Sequence, residues 1–239
     1  MKTINWIAML PYYLLAAILV IGLATGGSKA VTTVVQTSPV QRNYVIVIDA
    51  GHGGIDGGAT SCTGVLESKI NLDIALRLND LMHWMGYETV MIRTTDTSVY
   101  TGGETIAAQK VSDLKERVRI VNATDNGVLI SIHQNTFSDS RYGGAQVFYA
   151  NDDFSHQLAN VLQSDFVQYL NPGSQRKCKK AESVYLMQHI EKPGVLVECG
   201  FLSNPEEEVK LRSEGYQKKL ACVIASSVSG FLKLQYING

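Results

Sequence analysis

Residues 44–58, YVIVIDAGHGGIDGG, constrain the fold of this chain more tightly than any other stretch. The unbroken run of Val and Ile up to Asp49 lacks the alternation of a half-exposed strand. It reads as a strand buried on both faces, which requires helices above and below it. The glycines after it let the chain turn sharply and approach another group closely, and His52 stands among them. Such a segment delivers a polar side chain to the mouth of a sheet.

The chain beyond it alternates. Ile70, Ile74, Leu78, Leu81 and Met85 recur at intervals of three and four before Gly86, which predicts an amphipathic helix over 67–85 with a glycine stop. A strand is expected at 88–94, then a loop rich in Thr and Gly, and a helix over 112–123 with Leu114, Val118 and Val121 on one face. Residues 127–133 read as a second buried strand, ending on His133. Further strands are expected at 145–150, 184–187 and 194–197, and further helices at 155–170 and 216–232. The implied fold class is α/β, a single mostly parallel β-sheet of about six strands covered by helices on both faces.

Residues 1–30 hold Lys2 and an apolar run over 4–24, and Ser28-Lys29-Ala30 has the small-x-small form of a cleavage site. The segment reads as a signal peptide or an N-terminal membrane anchor, and both readings place the rest of the chain outside the cytoplasmic membrane. Residues 31–43 read as a linker. The remaining 44–239 suffice for one domain with a sizeable core. A formal net charge of −1 gives no field that would attract nucleic acid, so contact with a membrane is expected only through the N-terminal segment. The four cysteines show no CxxC spacing. Cys62 and Cys178, in expected loops, would be the pair if a disulfide formed, and Cys199 and Cys222 read as buried thiols.

The expected ends of three strands carry His52, His133 and Glu198, and Glu67 enters at the first turn of the first helix. In open α/β sheets this edge is where ligands bind. Two imidazoles and a carboxylate suit Zn2+ with a fourth position open, an arrangement fit for hydrolysing an amide. An unligated carboxylate must then move the proton, and Glu198 at the end of VLVE takes that role. A dinucleotide loop is the rival for 51–58, but Asp56 stands where its third glycine belongs. His83, His156 and His189 read as ordinary polar positions.

Taken together, DAGHGGIDGGA, Glu67, the Arg93 of MIRTTD, LKERVRIVN, SIHQN, GGAQVFYA and PGVLVECGFLSNPEEE resemble the zinc-dependent N-acetylmuramoyl-L-alanine amidases of bacterial cell walls, over about residues 44–232. KVSDLKERV and MQHIEKPG are similar to the germination-specific, spore-cortex branch of that family. The resemblance implies zinc on His52, Glu67 and His133 with Glu198 as the catalytic glutamate. The substrate it implies is peptidoglycan, glycan strands with stem peptides, cut at the amide between the lactyl group of N-acetylmuramic acid and L-alanine. In the cortex that cut would precede muramic-δ-lactam formation. Ala50, Val121 and Cys199 depart from the family's common residues, and none of them removes a ligand.

A reading from another class is a catalytically dormant peptidoglycan-binding or scaffold domain that needs a partner protein to capture zinc, since a glycine-dense loop is costly to order. Asn135 could touch substrate or brace its loop. The basic run Arg176, Lys177, Lys179 and Lys180 is either a solvated loop or a contact for anionic substrate. Ser203 or Asn204 is expected to cap a helix after the last strand.

Overall fold

The computed structural model describes residues 44–238; the expected signal or anchor segment and the linker lie outside them. Six strands form one sheet: β1 (Val45–Ala50), β2 (Glu88–Met91), β3 (Gly127–Asn135), β4 (Gln146–Tyr149), β5 (Lys179–Lys180) and β6 (Gly194–Phe201). Their spatial order is β2-β1-β3-β6-β4-β5. Neighbours run parallel except β4, which lies antiparallel to β6. From β1 the chain leaves to one side for β2 and then returns to the other side for β3. The sheet's switch point therefore lies at β1 and β3, where such folds open a crevice.

The central strands β1, β3 and β6 bury both faces, as their composition requires. Ile46, Ile48, Val128, Ile130, Val195 and Val197 pack against α1 (Glu67–Trp84), α3 (Asp153–Tyr169) and α6 (Glu214–Asn238). Val47, Leu129 and Leu196 face the other way, against α2 (Ile106–Ala123) and α4 (Tyr185–His189). The same alternation turns Asp49, Ser131, His133 and Glu198 towards the second face.

Local chemistry sets the helix ends. α1 stops where Gly86, at φ 81°, donates its N–H to the His83 carbonyl while Tyr87 N–H reaches Met82. α2 begins six residues ahead of the expected start. Its first turns are exposed and carry no apolar stripe, and Thr105 caps them by accepting from Ala108 N at 3.2 Å. Asp152 caps α3, and Asn204, rather than Ser203, caps α5 (Pro205–Arg212), with Pro205 in the first turn.

Two expectations are corrected, and one question left open by the sequence is answered. Residues 184–187 are not a strand: Tyr185–His189 form α4, whose Leu186 and Met187 fill the second core. An apolar run this short has no periodicity to separate the two states. The pairing of Cys62 with Cys178, left open by the sequence, does not form, and all four cysteines are free. Cys222 is exposed rather than buried, lying on the outward face of α6, while Cys199 is buried as expected.

Phe166 of α3 is fully buried in the first core. Phe166→Ala is expected to lower unfolding free energy by about 3–5 kcal/mol, read from urea denaturation. A loss under about 1 kcal/mol would contradict the packing described.

Candidate metal centre

β1, β3 and α1 bring three side chains to the switch point. His52 lies two residues past β1, and Glu67 is the first residue of α1. His133 and Glu198 are not at strand ends, because β3 and β6 run on to Asn135 and Phe201. The two residues are partners in register on adjacent parallel strands, and the pairing shifts immediately after them. His52, Glu67 and His133 each offer a ligand atom within 4.8 Å of the others, the one such group among the described residues.

Glu67 is the hub. It is 3 % exposed, and its Oε1 accepts from His133 Nδ1 at 3.0 Å, Gln134 N at 3.0 Å and Asn71 Nδ2 at 3.2 Å. Its Oε2 accepts from Ala59 N at 2.9 Å and stands 3.3 Å from His52 Nε2. Burial alone would raise this carboxyl; hydrogen bonds and charge from His133 and His52 outweigh it and hold the group well below the usual carboxylate range.

His52 also donates from Nδ1 to Asp56 Oδ2 at 2.9 Å, and Asp56 is paired in turn with Lys110 Nζ at 2.9 Å. Burial opposes the charged imidazole, but Glu67 and Asp56 together raise it to about 9. Metal-free His52 is therefore imidazolium at neutral pH, and its contribution to stability, full below about 6.5, is lost as pH rises through about 9.

The glycines make room for the ligands themselves. A Cβ at Gly51 would collide with the edge of the His133 ring, and one at Gly58, φ 68°, would lie 2.6 Å from Glu67 Oε2. His52 has a positive φ of 61°, which a side chain adopts at a cost of about 1–3 kcal/mol.

Two inward imidazoles and an anionic carboxylate fit a zinc ion. The supports fit it as well: Asp56 behind His52, and backbone N–H groups behind Glu67. Glu198 stands beside this group with its Oε2 buried and without a hydrogen-bond partner. Burial, aided by the Glu67 charge and opposed by the two histidines, pushes its carboxyl up to about 7. Such a group is poised to exchange a proton near neutral pH. Burial, then the Glu198 charge, pushes the neighbouring Cys199 thiol up, so it stays protonated and offers no thiolate ligand. Beside the centre, a cavity of ≈ 200 Å³ is lined by His52, His133, Lys110, Leu114, Val184 and Leu196 among others.

Other sequence candidates take structural places. Asn135 Oδ1 accepts from Thr136 N at 2.8 Å and braces its loop. Arg176 donates to Gly143 O and Gln146 Oε1 and lies 5.0 Å over the Phe201 ring, whereas Lys179 and Lys180 are exposed on an edge strand. His156 packs on Tyr149 and His189 stacks on Tyr185. Sequence reasoning missed the roles of Asp56, Asn71, Arg93 and Arg117. Arg117 pairs with buried Asp49 and Asp113 and donates to His52 O at 2.7 Å.

A sheet switch point that gathers two histidines and a carboxylate beside an unpartnered glutamate is the plan of a site for metal-assisted hydrolysis. The chain belongs to the N-acetylmuramoyl-L-alanine amidase family, whose profile matches residues 46–229. Over 186 residues it is 36% identical to the germination-specific N-acetylmuramoyl-L-alanine amidase of Bacillus subtilis, covering 77% of this chain and 78% of that one. The solved CwlD amidase of Clostridioides difficile, in complex with the GerS lipoprotein, superposes with a TM-score of 0.77 at 35% identity over 80% of this chain and 100% of that chain. The catalytic domain of CwlV, an amidase from Bacillus (Paenibacillus) polymyxa, gives 0.66 at 30% identity over 80% of this chain and 98% of its own.

His52→Ala is expected to lose stoichiometric zinc in elemental analysis; undiminished zinc would remove His52 from the ligand set. In the metal-free protein, Glu198→Gln is expected to gain about 2 kcal/mol of stability at pH 8, where the buried carboxylate is ionised without a partner. The raised folded pKa makes that gain vanish only below about pH 3.5, under the unfolded carboxyl's 4.5, where wild type is protonated in both states. Urea midpoints at the two pH values check it, and an equal gain at both would contradict the linkage.

Proposed function

We propose that this protein is a zinc-dependent N-acetylmuramoyl-L-alanine amidase that hydrolyses the amide between the lactyl group of N-acetylmuramic acid and L-alanine in peptidoglycan. The observation that carries the proposal is the convergence of His52, Glu67 and His133 within 4.8 Å beside the unpartnered carboxylate of Glu198. Zinc on those three residues would supply Lewis acidity towards the amide carbonyl and towards water.

The chain's own groups do the rest. Glu198 Oε2 has no competing hydrogen bond, so it is free to accept a proton as water oxygen adds to the lactyl carbonyl carbon. The same oxygen returns the proton to the alanine nitrogen as the C–N bond breaks, leaving a free carboxyl on the lactyl group and a free amine on the peptide. Asp56 holds the His52 ring in the orientation that turns Nε2 inward.

The likeness to a germination-specific relative supports a cut made in the spore cortex, ahead of muramic-δ-lactam formation. The apolar run near the N-terminus supports an enzyme that works outside the cytoplasmic membrane. A second reading is a domain that captures zinc only with a protein partner, and the structure of a relative in complex with a lipoprotein favours it. Zinc content with and without such a partner separates the two.

The decisive variant is Glu198→Ala. Its turnover on muropeptides, followed by mass spectrometry of released L-alanine-initiated peptides, is expected to fall by about 10²–10⁴ while zinc remains bound. Full activity in that variant would end the role assigned to Glu198.

A further inference from the structure

The carbonyl of Gly51 lies between β1 and His52, and two side chains from different elements converge on it. Arg93 Nη2 donates to it at 3.0 Å and Asn71 Nδ2 at 3.1 Å. Neither donor serves that carbonyl alone. The same Arg93 Nη2 donates at 2.8 Å to the carbonyl of Ser68, the residue after Glu67. The same Asn71 Nδ2 donates at 3.2 Å to Glu67 Oε1, and Asn71 Oδ1 accepts at 3.1 Å from Gln134, the residue after His133. Asn71 therefore touches all three segments that present the candidate ligands, and Arg93 touches two.

Satisfying a strand-end carbonyl needs only one neutral donor or a water. Arg93 is 3 % exposed, and its hydrogen bonds run to four backbone carbonyls, those of Ala50, Gly51, Ser68 and Thr95. Burying a guanidinium whose hydrogen bonds all go to neutral acceptors is expensive, and a positive charge close to a cation site works against the ion. Burial and the Arg117 charge outweigh the charges of Asp49, Asp96 and Asp113 that favour the guanidinium, so electrostatics does not by itself account for an arginine here. Geometry does, because a rigid fork of donors can hold several carbonyls in one plane and a lysine cannot.

The strain at His52 points the same way. A non-glycine residue at φ 61° persists only where its surroundings over-determine it, and the carbonyls of Ala50 and Gly51 are fixed by Arg93 immediately before it. We propose that Asn71 and Arg93 are positioning residues for the metal centre: they tie together the segments that carry His52, Glu67 and His133 and set the ligand spacing before an ion arrives. This rests on the zinc reading of the site.

The test is zinc affinity of the purified protein, measured by competition with a chromophoric chelator below the melting temperature of each metal-free variant. Asn71→Ala and Arg93→Lys keep the net charge, and Asn71→Ala also relieves Glu67 Oε1 of a donor, which by itself would favour the ion, so a weakened affinity reports geometry. Each is expected to raise the zinc dissociation constant by about tenfold or more. Leu162→Ala, a buried change in α3, which carries none of these residues, is the control: it lowers stability and leaves the dissociation constant where it is. Should Arg93→Lys fail to fold, Asn71→Ala decides, since alanine suits a helix interior. A rise smaller than about tenfold in folded Asn71→Ala overturns the positioning role while leaving the zinc reading intact. If wild type takes up no zinc, the metal reading falls and this inference with it.

Discussion

The carboxylate of Glu67 is an anion set into the protein where water barely reaches it, and the architecture of the site follows from keeping it charged. An isolated carboxylate in such a place would protonate, at a desolvation cost of several kcal/mol if it did not. Here five donors close around it, two imidazoles, two backbone N–H groups and one amide. They come from several parts of the chain: the loop after β1, the segment leading into α1, α1 itself, and β3. Glu67 therefore organises the fold around the site as much as the fold organises Glu67. An ion that replaces the two imidazole protons would meet the same negative charge, which is why a metal-free arrangement already has the convergence a metal needs.

The parts outside that shell divide the work. The sheet supplies rigidity, since β1, β3 and β6 are paired side by side and their apolar residues are buried. The loop from Gly51 to Gly58 supplies closeness, because Cβ atoms at Gly51 and Gly58 would collide with His133, His52 and Glu67. Arg117, anchored on Asp49 and Asp113, and Arg93 hold the carbonyls of Ala50, Gly51 and His52, where β1 passes into this loop. Glu198 is left with an oxygen that nothing binds. A permanent donor on the oxygen that takes up and releases a proton would compete with water for it, so the isolation of Oε2 is consistent with the role proposed for Glu198.

Much of this architecture is legible in the chain itself. Continuous Val and Ile runs mark β1, β3 and β6 because strands covered on both faces have no polar side to interrupt them. The three-and-four spacing of Ile70, Ile74, Leu78, Leu81 and Met85 marks α1, because a helix covered on one face repeats its apolar residues about once per turn. The polar residues that follow or interrupt those runs, His52, His133 and Glu198, stand out against that background. The hidden parts have a physical cause in each case. The antiparallel direction of β4 depends on how the loop after Asn135 crosses the sheet edge, which no local pattern records. Residues 184–187 are apolar because they face a core, whatever their backbone does. Asn71, Arg93 and Arg117 act on backbone carbonyls, and a carbonyl has no letter in the sequence. The family resemblance marks Arg93 as part of a motif without saying what it holds.

The central claim is that two histidines and one glutamate of this chain form a zinc site. X-ray absorption at the zinc edge of the loaded protein tests it most directly. The account predicts a first shell of nitrogen and oxygen at about 2.0–2.2 Å, with the outer-shell scattering of two imidazole rings and no sulfur. A sulfur distance near about 2.3 Å, or a shell without imidazole scattering, would contradict it.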